Sequence, residues 1–211
     1  MRFPRPRFPA FALAAALLLA AAPAAAQRLQ IPRPVGFVND FANVIDPESE
    51  AAIDALIQEV RQKSGGAEIA VVTLPSLEGE PVSDVANRIA REWGVGARGE
   101  VGDQVRNTAA LILVAPNDRR VRIELSEGAN GFISAAEAGR IRDQYMVPAF
   151  AQGDFSTGVR QGTRAVAEAF AQNFGFQLTG QPLPPRQPAR EPSGGARGGG
   201  GFLIFLIILA F

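Results

Sequence analysis

Any chemistry in this chain has to run on carboxylates, hydroxyls, amides, arginines and a single amine, because its 211 residues include neither cysteine nor histidine. The lack of cysteine excludes a thiol nucleophile, a disulfide framework, a zinc finger and an iron–sulfur centre. The lack of histidine excludes a Ser-His-Asp triad and imidazole ligation of a metal. Lys63 is the one lysine among 21 basic residues, which 21 acidic residues balance. A neutral, lysine-poor chain is a poor nucleic-acid binder, so none is expected as a partner. The acids beside turns carry local readings of their own. Asp40 follows Asn39 after a short apolar stretch, where the two suit an Asx-turn. Asp118 closes Pro116-Asn117-Asp118, a turn between two apolar runs. Arg120, Arg122 and Glu124 alternate with Val121, Ile123 and Leu125, which reads as the solvated or cross-strand-paired face of a strand. None of these spacings supplies an in-line nucleophile or a metal-bound water.

The scaffold for these residues is predicted over 35–174, enough chain to bury roughly two thirds of its unfolded surface. Val35-Gly36-Phe37-Val38 predicts a short strand broken at Asn39-Asp40. Asp46 has the character of an N-cap, with Pro47 at the first helical position and Glu48 and Glu50 in the first turn. Ile53, Leu56, Ile57 and Val60 then follow the stripe of a helix lying on a core, stopped by Gly65-Gly66. Glu68 to Leu74 predicts a buried central strand, and Pro81 to Trp93 a second helix ended by Gly94. After a loop to Arg106, Thr108 to Ala115 predicts another buried strand, returning through Pro116-Asn117-Asp118 as an antiparallel hairpin. Ser134 and Glu137 form a capping box for a helix through Ile141 and Tyr145, broken by Pro148; a last helix spans about Asp154 to Gln172. The order β-α-β-α-β-β-α-α predicts an α/β fold in three layers, a mixed, mostly parallel sheet of about four strands covered by helices.

Both ends depart from this pattern. Residues 1–26 have an arginine-bearing start (Arg2, Arg5, Arg7), an apolar run from Ala10 to Ala22 and Ala24-Ala25-Ala26, the makings of a signal peptide. Cleavage would leave Gln27 first, a linker over 27–34, and 18 basic against 21 acidic residues, a net charge of −3. Residues 175–201 are rich in proline and glycine and are expected to be a linker. Phe202 to Phe211 follow as ten apolar residues. As a helix they span about 15 Å of a hydrocarbon core of about 30 Å, so they are expected to begin a transmembrane helix. The expectation is an exported domain on the periplasmic or extracellular side, anchored to the membrane by that segment.

With these elements in place, the chain resembles the TPM-domain family, which includes a thylakoid-lumen acid phosphatase, a photosystem II repair protein and a modulator of acetylcholine receptors. The matching stretches are Val38 to Ile45, Trp93-Gly94-Val95-Gly96, Leu111 to Glu124, Ala138 to Ile141, Pro148-Ala149-Phe150 and Gly153-Asp154. Their order and spacing cover nearly all of 35–172. Bacterial members similarly pair an export signal with a downstream membrane helix.

The resemblance implies a metal-binding or phosphatase-like cleft lined by acids, with calcium as the cation in some members. Carried onto this sequence, the metal set is Asp40, Asp103, Asn107, Glu124 and Asn130, with no residue assigned as catalytic and no organic cofactor. The set is thinned. Ser126-Glu127-Gly128 stands for the family's glycine, any residue, glycine; Asn130 stands for a glutamate, and Ala135 for an aspartate. Arg106-Asn107-Thr108 replaces Asp-Asn-Gly, so an arginine opposes a cation. Calcium takes six to eight oxygens, several of them charged, so any binding is expected to be weak. In the predicted topology the loops before Thr108 and after Leu125 share one end of the hairpin, which brings Asp103, Asn107, Glu127 and Asn130 towards one another. Two functions follow: a tethered accessory domain for envelope or membrane protein complexes, or a divalent-metal-dependent or acid phosphatase using Asp40, Asp118 and Arg120.

Overall fold

The computed structural model of the protein describes residues 28–96, 105–180 and 182–183. The chain divides into Met1–Gln30, of which 28–30 are described, and Ile31–Phe211; among the described residues all the regular structure lies in the second unit. The signal-like segment 1–26, Asp103, the stretch 184–201 and the apolar residues 202–211 lie outside the described residues. Among the described residues no helix is long and apolar enough to cross a membrane.

Four strands form one sheet in the order in which they occur: β1 (Val38–Asp40), β2 (Glu68–Thr73), β3 (Ala109–Ala115) and β4 (Arg120–Leu125). β1, β2 and β3 are parallel, and β4 returns antiparallel to β3. Val71 pairs with Val38 on one side and Ile112 on the other, and Ile112 stands opposite Ile123. The sheet is thus mixed, mostly parallel and covered by helices, as the alternation of elements predicts. Every residue of β2 and β3 is buried, which is why both read as unbroken apolar runs rather than alternating ones.

Each helix has a local cause. The Asp46 carboxylate caps α1 (Pro47–Ser64) by accepting the Ser49 amide at 2.8 Å, and Gly65 ends it in the left-handed region at φ 82°. α2 (Val82–Trp93) ends at Gly94 in the same manner. Ser134 caps α3 (Ala135–Ile141), and Asp154 caps α5 (Phe155–Phe174) by accepting the Thr157 amide at 2.9 Å. Between α3 and α5 the expected helix does not simply break at Pro148. It widens into a π-helical turn at Arg142–Met146 and resumes as α4 (Val147–Phe150), whose first turn seats Pro148 where no N–H is needed. Close packing there requires Gly158 and Gly162: a Cβ on either would lie 2.4 Å from the Phe150 ring or 2.5 Å from Met146.

α1 and α5 cover one face of the sheet, where Ile53, Ile57, Val60, Val166 and Phe170 bury Ile69, Val71 and Ile112. They run side by side, joined at their N-termini by the Asp46 amide donating to Ser156 Oγ at 2.9 Å. α2 covers the opposite face over Leu111. Both parallel connections step the same way across the sheet yet place their helices on opposite faces, so they have opposite hands. One of them departs from the usual right-handed crossover.

Two boundaries differ from the sequence reading. β1 begins at Val38 and includes Asn39 and Asp40, because the fully buried Asn39 satisfies itself locally. Its Oδ1 accepts the Val35 amide at 2.7 Å and its Nδ2 donates to Gly36 O at 2.9 Å. The chain after Phe174 is also not yet a linker: Phe176, Leu178 and Leu183 pack on the core, which carries the folded unit beyond the expected boundary at 175. These apolar residues precede most of the prolines, so composition averaged over 175–201 conceals them.

Candidate functional site

Acidic and polar groups gather at both ends of the sheet. At the C-terminal end of the parallel strands, Asp40 pairs in register with Thr73. One Asp40 oxygen accepts the Thr73 hydroxyl and the Val44 amide at 3.2 Å, and the other accepts the Ile45 amide at 2.8 Å. Thr73 Oγ1 in turn accepts the Ala42 amide at 3.0 Å. The carboxylate therefore ties the β1–α1 loop to β2, reaching four and five residues ahead instead of two as in an Asx-turn. Asp118 does the same for the β2–α2 loop, accepting the Leu77 amide at 2.6 Å and the Ser76 hydroxyl at 3.2 Å. Arg119, at φ 52°, completes the tight turn into β4.

At the other end lies a cleft of about 450 Å³ between α2 and β4. Asn87 and Arg91, one turn apart on α2, face Glu124 and Ser126 across it, with Leu111 beneath and Asn107 and Glu127 at the rim. Glu124 is held by Arg122, whose guanidinium donates to Oε2 at 2.8 Å. Ser126 Oγ accepts the Ala109 amide at 2.6 Å and donates to Asn107 O. The Gly128 amide donates to the same carbonyl at 2.8 Å. The two loops meet as the hairpin topology predicts, and Gly128 is required for it: a Cβ there would stand 2.4 Å from Thr108 Oγ1 and 2.8 Å from Asn107 O. Glu68, buried at the start of β2, accepts the Gly96 amide at 2.8 Å and braces the same end.

The structure divides the expected metal set. Asn107 and Glu124 line the cleft, and Asn130 lines an adjoining depression with Glu124, while its Nδ2 donates to Leu125 O at 3.4 Å. Asp40 is absent from this neighbourhood. It sits five residues along β2 from Glu68, about 16 Å away at strand spacing, on the face covered by α1. Asp103 lies outside the described residues. What remains together is two amides and one carboxylate already paired with arginine, which does not fit the oxygen cage of calcium. Among the described residues no three acidic side chains are arranged to hold a metal ion. The phosphatase trio is also dispersed in role: Asp40 and Asp118 share an end of the sheet, but Asp40 is bonded to the β1–α1 loop and Asp118 to the β2–α2 loop.

Sequence reasoning missed Thr73, Ser126 and Glu68 as the partners that organise these ends. Glu68 had a signal, a charge opening an apolar run. Thr73 and Ser126 had none, since their partners lie 33 and 19 residues away.

This fold is shared with known proteins. The TPM-domain profile matches residues 38–169. The chain belongs to the TPM-domain family. Among solved structures it is similar to the N-terminal domain of a P. gingivalis protein, with 26% identity over 72% of this chain and 100% of that one and a TM-score of 0.60. It is also similar to the N-terminal domain of cg2496 from Corynebacterium glutamicum, with 17% identity, 77% and 98% coverage and a TM-score of 0.49. A third similarity is to BA42 from Bizionia argentinensis, with 24% identity, 61% and 82% coverage and a TM-score of 0.49. Comparison with curated proteins gave no match.

Proposed function

We propose that this chain is a membrane-tethered, extracytoplasmic TPM-domain module that binds or maintains envelope protein complexes without turning over a substrate. The observation that carries this reading is the commitment of its acids to structure. Asp40 and Asp118 spend their oxygens on loop amides and hydroxyls, and Glu124 is paired with Arg122. Such carboxylates shape loops for presentation; a nucleophile or a metal ligand needs an oxygen turned towards the reacting atom. Support for export and tethering comes from the sequence, in the arginine-led apolar segment 1–26 and the apolar residues 202–211.

Phosphate-ester turnover by the purified protein, with and without added divalent metal, tests the reading. The expected result is no turnover above background under either condition. Turnover abolished by Asp40→Asn or Asp118→Asn would replace it with the phosphatase reading. N-terminal sequencing of protein recovered from membranes should begin at Gln27, and an intact Met1 would overturn the export signal.

A further inference from the structure

After α5 the chain turns back into the groove between α1 and α5. The Phe176 amide donates to Ala171 O at 3.0 Å, and Phe176, Leu178 and Leu183 pack against the core. Four charged side chains on the two helices then meet the main chain of this segment. Lys63 Nζ donates to Gln177 O at 2.7 Å, and Arg164 Nη1 donates to Thr179 O at 2.5 Å. Glu59 accepts the Thr179 amide on one oxygen and its hydroxyl on the other, each at 2.8 Å. Glu168 accepts the Leu183 amide at 3.4 Å.

The same four residues also pair along their own helices, Lys63 with Glu59 at 2.7 Å and Arg164 with Glu168 at 3.1 Å, each one turn apart. Departure of the segment would therefore leave no unpaired buried charge behind, and its anchors are only partly buried. Beyond Thr179 the groove continues as a cavity of about 700 Å³ along Ala52, Ala55, Leu56 and Arg160. A site that grips main-chain amides and carbonyls with charged heads, and keeps those heads paired when emptied, is built for an extended peptide.

We propose that α1 and α5 form a peptide-binding groove whose resident ligand is the chain's own residues 176–180 and 182–183, held as a detachable strap. The strap opens without unfolding the sheet. This inference does not depend on membrane attachment or on the absence of catalysis.

Hydrogen exchange on the full chain tests it. The Thr179 amide should be protected, yet exchange at least 100-fold faster than Ile112 in β3, because it opens locally. Thr179→Pro removes the strap's donors without touching either helix, and Glu59→Ala removes their acceptor. Either variant should speed exchange at Leu178 at least tenfold and leave Ile112 unchanged. A synthetic 176–183 peptide at about millimolar concentration, the range a short tether imposes, should shift the resonances of Glu59 and Arg164 in Thr179→Pro but not in the parent. Exchange of Thr179 as slow as Ile112 would make the segment an integral part of the core. Unprotected Thr179, or a peptide that leaves Thr179→Pro unchanged, would show that the groove is no peptide site.

Discussion

Replacing Asp40 separates a loop clamp from a catalytic acid. Asp40→Ala removes the acceptor of the Val44 and Ile45 amides and of the Thr73 hydroxyl. The carboxylate is half-buried, so water can reach some of the orphaned donors, and each bond is taken at about 1 kcal/mol net instead of the larger value for charged acceptors. Three bonds give about 3 kcal/mol, which for a domain of this size lowers Tm by roughly 10 °C. Asp40→Asn keeps one acceptor oxygen and should lose less than half of that. Thermal melts of the two variants beside the parent, with phosphate-ester assays on the same samples, provide the readout. Asp40→Ala melting within about 2 °C of the parent would refute the reasoning. A catalytic acid predicts the reverse pattern, an Asp40→Asn variant that melts almost like the parent and loses turnover.

The Asp46 carboxyl is lowered to about 2, first by the Ser156 hydroxyl and then by the Ser49 amide. A depressed folded-state pKa gives stability that is full above the unfolded value near 3.8 and is lost as pH falls towards 2. The Tm deficit of Asp46→Ala should therefore be largest at pH 6 and shrink by pH 2.5; a deficit independent of pH would contradict the assignment. Gly128→Ala should cost about 2 kcal/mol or more in a denaturant titration, because its Cβ has nowhere to go between Thr108 and Asn107. An unchanged midpoint would show that the two loops are free to separate. Calorimetry with micromolar calcium should give no binding heat in the parent, while Asn130→Glu should introduce weak binding. Micromolar binding by the parent would mean that Asp103 completes a cage around Asn107 and Glu124.

The sequence disclosed those parts of the fold whose causes are local. Asp46 and Asp154 cap helices within three residues of themselves, Gly65 and Gly94 end them, and Pro116-Asn117-Asp118 turns the hairpin. The approach of the Asn107 and Gly128 loops also follows once β3 and β4 are paired. Features with distant partners stayed hidden. Asn39 looks like a strand breaker until its buried Nδ2 is seen donating to Val71 O at 3.4 Å, 32 residues away, where β1 pairs with β2. Asp40 looks like a ligand until Thr73, 33 residues away, is found beside it. The strap escaped notice because Phe176 and Leu178 are two apolar residues without a repeat, and their groove is made by helices far apart in the chain.

That distance between helices sets an order of events in time. The four strands lie side by side in the sequence in which the ribosome delivers them, so each can pair with one already present. α1 has no such luck: its partner α5 is 110 residues downstream, as the Asp46–Ser156 contact measures. At 5–20 residues per second the stripe of Ile53, Ile57 and Val60 waits roughly 5–20 s for its cover. Throughout that interval the growing chain presents a sticky helix that a holding chaperone would recognise, and the last turn of α5 ends the wait.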